Sequence, residues 1–143
     1  MNSNVVLVTG ASSGIGAATA MKLKALGFTV YAATRRIERM QCLTDAGIRV
    51  IAMDVTQDAS MQAGVERIIT ETGKIDVLVN NAGYGSYGSV EEVSLEEGRT
   101  QFDVNVFGAV RLIQLVLPNE GLKLKIRNDY HLEHEQVVYR VNG

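Results

Sequence analysis

The sequence has few of the residues that mark secreted, membrane-spanning or nucleic-acid-binding proteins. Its 143 residues include one cysteine, one proline and no tryptophan, and the formal net charge is -2. The single Cys42 excludes an internal disulfide, and the N-terminus has no basic segment followed by a signal-type apolar core, so a reducing, cytoplasmic location is expected. Because charged residues are only 21% of the chain and carry no positive excess, binding to nucleic acid or an anionic membrane is not expected.

Long hydrophobic runs are also missing. No run approaches the roughly 20 apolar residues needed to span a bilayer, and 143 residues provide one buried core rather than two. Hydrophobic residues make up 46% of the chain, and there are 14 glycines. We therefore expect a soluble globular protein with tight turns between regular elements.

The chain before Pro118 alternates short β-branched runs with helix-length amphipathic stretches, which predicts βα units around a parallel sheet. The expected strands are Val5–Thr9, Thr29–Thr34, Val50–Met53 and Ile75–Asn80. The expected helices lie near Ile15–Leu26, Ile37–Ala46, Ala59–Thr72 and Leu95–Leu117. The first and last of these strands are nearly continuous apolar runs, as expected for strands covered on both faces. The predicted fold class is α/β, with a doubly wound parallel sheet.

A glycine-rich loop joins the first strand to the first helix, with the sequence Thr9-Gly10-Ala11-Ser12-Ser13-Gly14-Ile15-Gly16. Such a turn needs Gly10 for its backbone angles, Gly14 for close approach of a pyrophosphate, and Gly16 for packing of the helix on the strand. The helix N-terminus then offers unpaired N–H groups to phosphates. The loop lacks the Lys-Ser/Thr pair of phosphate-loop NTPases, so nucleotide binding of another kind is predicted.

Four landmarks in order resemble the classical short-chain dehydrogenase/reductase family. They are the Thr-Gly-x-x-x-Gly-x-Gly spacing at Thr9–Gly16, Asp54-Val55, Asn80-Asn81-Ala82-Gly83, and Asn105. The resemblance covers about Asn4 to Pro118. It implies a Rossmann-type, NAD(P)-binding region over residues 1–118, and hydride transfer between the cofactor and a carbonyl or secondary alcohol.

The resemblance also implies which residues contact the cofactor. The expected cofactor-binding residues are Gly10, Ser12, Ser13, Gly14, Ile15, Gly16, Arg35, Arg36, Asp54, Val55, Asn81, Ala82 and Gly83. After the second strand, an acid would favour NAD, whereas arginine accommodates the 2′-phosphate of NADP. Arg35 and Arg36 stand there, so NADP is expected in preference to NAD. The alternative is that both arginines simply start a solvated helix.

Other landmark residues also have structural alternatives. The resemblance implies that Asp54 hydrogen-bonds the adenine amino group. The alternative is that Asp54 caps the following helix or turns the chain. Asn81, Ala82 and Gly83 pass beside the nicotinamide ribose in that family, or simply form a turn. Tyr84 and Tyr87 either line a substrate pocket or anchor their loop.

Asn105 is a poor residue for the middle of an apolar helix, because its side chain competes for backbone hydrogen bonds. By resemblance it is the Asn of the catalytic tetrad, whose backbone carbonyl holds a water in the proton relay; the alternative is an Asn satisfied by helix packing. The surrounding helix is apolar along one side. In the family such helices pair between subunits, which predicts a homo-oligomer through residues 95–117, although core packing gives the same pattern. The residues at this spacing are Phe102, Val106, Val110, Ile113 and Leu117.

The remaining catalytic residues of the family are missing. The resemblance requires a Ser and a Tyr-x-x-x-Lys pair, whose Lys lowers the pKa of the Tyr. No Ser follows Pro118, and Tyr130 is followed four residues later by His134 in place of Lys. We therefore expect this chain to be inactive, with the alternatives of a non-catalytic NADP-binding remnant or a regulatory nucleotide-sensing module.

The tail, residues 119–143, departs from the family pattern. Permitted codons for residues 119–135, read one nucleotide out of register, give a basic loop, a glycine, an apolar strand and a Ser-Ser pair, which resembles the family's continuation. Our hypothesis is an out-of-frame terminus, so that the family fold is incomplete at its C-terminal side. The alternatives are a natural terminus, an edge strand from the alternation of Leu122, Leu124 and Ile126, or a metal site at His131 and His134. Without a third ligand no metal is expected.

Overall fold

The computed structural model describes residues 3–118, 123–125 and 137–142. The strands are β1 (Val5–Thr9), β2 (Thr29–Thr34), β3 (Arg49–Ala52), β4 (Val77–Asn80), β5 (Lys123–Lys125) and β6 (Val137–Asn142). The helices are α1 (Gly14–Ala25), α2 (Gln41–Asp45), α3 (Asp58–Thr72), α4 (Leu95–Phe102) and α5 (Ala109–Val116). A 3₁₀ turn covers Ile37–Arg39, and a π-helical segment, Asp103–Gly108, joins α4 to α5.

Four parallel strands form the centre of the sheet in the order β3-β2-β1-β4. The chain therefore runs outward from β1 to β3 and then crosses back to β4. A crevice opens where the direction reverses, at the carboxyl ends of β1 and its neighbours, and ligands of such folds bind there. The predicted α/β fold with a doubly wound parallel sheet is confirmed.

Two short strands extend the sheet beyond β4. Strand β6 pairs antiparallel with β4, and β5 pairs antiparallel with β6 at the edge. The edge strand expected from the alternating tail pattern is present at Lys123–Lys125. Leu122, Ile126, Tyr130 and the histidine pair lie outside the described residues.

Alternate side chains of the central strands enter two separate cores. Leu7 and Tyr31 pack with Ile68 of α3 and Leu112 of α5 on one face. Val6 and Val8 pack on the other face with residues of α1 and α2. Because both faces of β1 are covered, its continuous apolar run fits the expectation for a buried parallel strand.

Two helix predictions need correction. The single helix expected over Ile37–Ala46 is broken at Met40, whose side chain is 1% exposed; Met40 closes the 3₁₀ turn by donating to the carbonyl of Ile37 and then starts α2. Burial of the Met40 side chain against the sheet is therefore achieved by breaking the predicted amphipathic helix. The helix expected over Leu95–Leu117 contains the π segment, which adds a residue to one turn and rotates α5 relative to α4.

The apolar face predicted for this long helix enters the core only in part, since Ile113 packs against the core. Phe102, Val106 and Val110 are 60%, 41% and 47% exposed, whereas Leu112 and Val116 are buried. The predicted apolar side therefore lies largely at the surface. No helix of the described part of the chain combines the length and hydrophobicity needed to cross a membrane.

Candidate functional site

A cleft of about 800 Å³ opens at the carboxyl ends of the parallel strands. It is lined by all the predicted cofactor-binding residues except Gly16. Those lining residues are Gly10, Ser12, Ser13, Gly14, Ile15, Arg35, Arg36, Asp54, Val55, Asn81, Ala82 and Gly83. Segments far apart in sequence thus meet around one volume large enough for a small organic ligand.

Thr9, the last residue of β1, joins two walls of this cleft. Its buried hydroxyl donates to the carbonyl of Val79 at 3.4 Å and accepts the backbone N–H groups of Asn81 and Ala82, each at 3.0 Å. The Asn81 amide donates back to the carbonyls of Thr9 and Gly10, both at 3.1 Å. These bonds fix the glycine loop against the segment after β4. In the sequence Thr9 stands out only as part of the glycine motif, and nothing in the local pattern indicates this role.

Two glycines of the loop sit where no larger residue fits. Gly10 has φ +62°, as predicted for the turn, and a Cβ added to it would lie 2.7 Å from the Cα of Ala82. A Cβ on Gly16 would lie 2.4 Å from both the Gly10 carbonyl oxygen and the Asn81 amide nitrogen. Gly16 therefore packs α1 against the loop and supports the cleft from behind.

The N-terminus of α1 opens into the cleft, and no acidic residue of its own first turn offsets the partial positive charge of the helix dipole. Gly14 has φ +55°, and a Cβ built on it meets no atom within 4 Å. Ser13, the N-cap residue, is extended and makes no side-chain capping bond, and the first turn contains no acidic residue. Exposed N–H groups and the positive end of the helix dipole suit a phosphate at this position.

Arg35 and Arg36 line the end of the cleft beyond β2, and both side chains are exposed. The backbone N–H of Arg36 donates to the buried Thr34 hydroxyl at 3.3 Å. Within residues 3–118, neither guanidinium forms a salt bridge. Two cations near a helix N-terminus make this part of the cleft attractive to anions.

Asp54 lines the cleft and also forms a turn. Its Oδ1 accepts the backbone N–H of Thr56 at 2.9 Å and the Thr56 hydroxyl at 2.7 Å, while its own N–H donates to Ser60 at 3.0 Å. The next helix begins at Asp58 with Gln57 as its N-cap residue. Asp54 therefore turns the chain rather than capping α3, and this turn faces the cleft.

Asn105 lies in the π segment and fixes the loop after β4. Its Oδ1 accepts the backbone N–H of Tyr84 at 3.0 Å, and its Nδ2 donates to the Tyr84 carbonyl at 2.8 Å. The side chain therefore bonds another segment, not its own helix. Tyr84 is among the residues that line the cleft, together with Thr100 and Val104. The sequence leaves the role of Tyr84 open, because its position depends on this pairing with a residue 21 positions away.

Across residues 3–118, no three His, Cys, Asp or Glu side chains gather as ligands would. The alternative metal pair, His131 and His134, falls outside the described residues.

The chain matches known proteins over most of its length. The family model for short chain dehydrogenase matches residues 4–125. The 3-ketodihydrosphingosine reductase of Bacteroides thetaiotaomicron is 40% identical over 118 residues, which are 82% of this chain and 42% of that protein. The chain thus spans less than half of this curated relative.

Solved structures are similar in fold and sequence. An actinorhodin polyketide ketoreductase with NADPH has a TM-score of 0.77 and 33% identity, covering 82% of this chain and 47% of that one. A 3-ketoacyl-(acyl-carrier-protein) reductase from Brucella melitensis complexed with NADH has a TM-score of 0.77 and 32% identity, covering 81% and 50%. With the family model matching more than half of its residues, the chain belongs to the short-chain dehydrogenase family.

Proposed function

We propose that this member of the short-chain dehydrogenase family binds NADP(H) in the cleft at the carboxyl ends of β1 to β4, and that residues 1–118 are its nucleotide-binding region. The pyrophosphate would lie at Gly14 and the N-terminus of α1, where open space meets unpaired N–H groups. The adenosine would lie toward Asp54 and Val55, and the nicotinamide ribose beside Ala82 and Gly83.

The observation that carries the preference for NADP is the pair of arginines after β2. Arg35 and Arg36 line the cleft where an acidic residue would hold the ribose of NAD. A guanidinium offers planar, paired hydrogen-bond donors to a 2′-phosphate, and its positive charge attracts the phosphate. The two solved relatives carry NADPH in one case and NADH in the other, so the preference rests on these side chains.

Hydride transfer to or from a carbonyl or secondary alcohol is the proposed reaction of the intact enzyme. When bound, the nicotinamide would donate the hydride in carbonyl reduction and accept it in alcohol oxidation. Asn105 is the member of the family's tetrad in this chain, and the sequence has no Tyr-x-x-x-Lys. We propose that this chain binds the cofactor without turnover. We also propose that residues 119–143 are foreign to the family pattern, although the family model matches the chain as far as residue 125.

Binding measurements on the purified chain test both statements. We expect NADPH to bind more tightly than NADH, and Arg35→Ala to weaken NADPH by about tenfold, since a hydrogen bond to a charged group is lost. Arg39→Ala is the matched control, because Arg39 lies nearby in the 3₁₀ turn but not in the cleft lining. Equal affinities for the two cofactors would contradict the NADP preference, and NADPH oxidation with small ketones or aldehydes would contradict inactivity.

A homo-oligomer is a further part of the proposal. Leu95, Phe102 and Phe107 are 78%, 60% and 62% exposed and line one apolar groove of about 580 Å³. Large exposed apolar patches commonly mark interaction sites. We expect sedimentation to detect a dimer that Phe102→Ser dissociates, and a monomer in the unmodified chain would refute this part.

A further inference from the structure

The loop after β4 contacts α4 through a residue that the proposed function does not use. Gln101, in the last turn of α4, accepts two hydrogen bonds on its Oε1 atom, from the Ser86 hydroxyl at 2.8 Å and from the Ser86 backbone N–H at 3.3 Å. Between residues 83 and 92, every residue except Ser86 is exposed. Ser86 is therefore the residue through which this exposed loop packs on the helix.

Gln101 and Asn105 hold neighbouring points of the same loop. The two amides lie four residues apart along one helical run, and residues at that spacing lie on adjacent turns. Asn105 bonds both polar backbone groups of Tyr84, at 3.0 and 2.8 Å. Together with the two bonds from Ser86, four hydrogen bonds tie residues 84–86 to the helical run.

The loop needs such anchors because it is rich in glycine. Gly83, Gly85 and Gly88 lie within six residues, and a Cβ built on Gly85 meets no atom of the described chain within 4 Å. Glycine loses more conformational freedom on being fixed than any other residue. The hydrogen bonds therefore offset an entropy cost that would otherwise fall on ligand binding.

The anchored stretch borders the nicotinamide end of the proposed cofactor site. Gly83 and Tyr84 line the cleft immediately after Ala82, which the proposed function places beside the nicotinamide ribose. A Cβ on Gly83 would lie 3.0 Å from Oδ1 of Asn105, so the loop and the helical run are in close contact there. Moving the loop would displace this wall of the cleft and leave Arg35 in place, because Arg35 follows β2, on the other side of β1.

We propose that Gln101 is a positioning residue for the nicotinamide half of the cofactor. By holding Ser86, it keeps the wall of the cleft at Gly83 and Tyr84 in its binding conformation before the ligand arrives, which lowers the entropy cost of binding. This inference rests on the proposed binding of NADP(H). It assigns Gln101 no contact with the ligand, and it predicts an effect at one end of the cofactor only.

The test compares NADPH with adenosine 2′,5′-bisphosphate, which has the 2′-phosphate but lacks the nicotinamide half. Gln101→Met in the full chain keeps the length of the side chain and its helix propensity but removes the acceptor. Calorimetric titration should show about fivefold weaker binding of NADPH, because the loop must now be ordered on binding, and unchanged binding of the bisphosphate. Gln114→Met makes the same change at an exposed position of α5 outside the cleft lining and should leave both affinities unchanged.

A conservative variant distinguishes a lost hydrogen bond from a damaged helix. Gln101→Glu keeps an oxygen acceptor for both Ser86 donors, so at high salt, where repulsion of the ligand phosphates is screened, the ratio of the two affinities should stay at that of the unmodified chain. Ser86→Ala removes one of the two donors and should weaken NADPH less than Gln101→Met does. Because both substitutions act on the same contact, the double variant should bind NADPH no more weakly than Gln101→Met alone.

The outcomes separate this inference from the proposed function. If the unmodified chain binds neither ligand, the proposed function fails and the role of Gln101 fails with it. If the unmodified chain binds both ligands and Gln101→Met leaves NADPH unchanged, or weakens both ligands equally, only the role of Gln101 is refuted. A changed affinity ratio in Gln101→Glu also refutes it, since the acceptor is then not what positions the loop.

Discussion

Gly16→Ala should destabilise the protein although alanine is the better helix former. The added Cβ would lie 2.4 Å from the carbonyl oxygen of Gly10 and 2.4 Å from the amide nitrogen of Asn81. Neither neighbour gives way easily, since one is backbone and the other is held at 3.1 Å to Thr9 and to Gly10. We assign the clash about 3 kcal/mol, the upper part of the range for overpacking. Helix propensity offsets about 1 kcal/mol, leaving a net loss of about 2 kcal/mol.

Gly98→Ala is the matched control for this prediction. Gly98 lies within α4, and a Cβ there meets no atom within 4 Å. The same substitution should therefore stabilise the chain by up to about 1 kcal/mol through helix propensity alone. Urea unfolding at a protein concentration where the chain is monomeric measures both. A Gly16→Ala variant as stable as Gly98→Ala would refute the close packing between α1 and the glycine loop.

Buried and charged contacts give two further predictions. Thr9→Val should cost about 2 kcal/mol of unfolding free energy, because two backbone N–H groups lose their acceptor. Thr9→Ser keeps the hydroxyl and should cost much less. Equal losses of unfolding free energy in the two variants would contradict this role of Thr9. Hydrogen bonds from Arg67 and Tyr31 lower the pKa of Glu71, so its stabilising effect is complete above the ordinary pKa of 4.5 and is lost as pH falls through the lowered value. The urea midpoint of Glu71→Gln should therefore lie below that of the unmodified chain at neutral pH and converge with it in acid. Glu66→Gln, on the exposed side of the same helix, is the matched control and should leave the midpoint at neutral pH unchanged.

The strands followed closely from the sequence, because burial on both faces leaves a strong local pattern. β1 and β2 have the predicted bounds. The strand expected from Ile75 begins instead at Val77. Asp76 explains the difference, since its carboxylate accepts the backbone N–H of Val5 at 2.7 Å and its own N–H donates to the Val5 carbonyl at 2.9 Å. Such a bond between residues 71 positions apart has no signal in a local pattern.

The helices were harder to predict because amphipathic spacing does not say which partner an apolar face meets. The spacing that joins Phe102 to Val110 is real, yet both side chains are exposed, and Leu112 on the same helical run is completely buried. Close packing of Gly108 selects the buried side: a Cβ there would lie 2.4 Å from the carbonyl oxygen of Val55. Periodicity shows only that a helix face is apolar. The direction of that face depends on the close contact between Gly108 and the Val55 backbone.

The cleft shows the same division between local and long-range information. The glycine loop can be recognised from the sequence because its glycine spacing is set by a single turn. Gly10 has the left-handed φ of +62° that this turn requires. Asn105 was singled out as a polar residue in an apolar helix, but what its side chain holds depends on a loop 21 residues earlier. That pairing holds the backbone of Tyr84 beside the cleft, so the sequence alone left open whether Tyr84 lines a pocket or anchors its loop. Residues fixed by the backbone geometry of one turn can thus be found from sequence, whereas residues positioned by another side chain need the folded contacts.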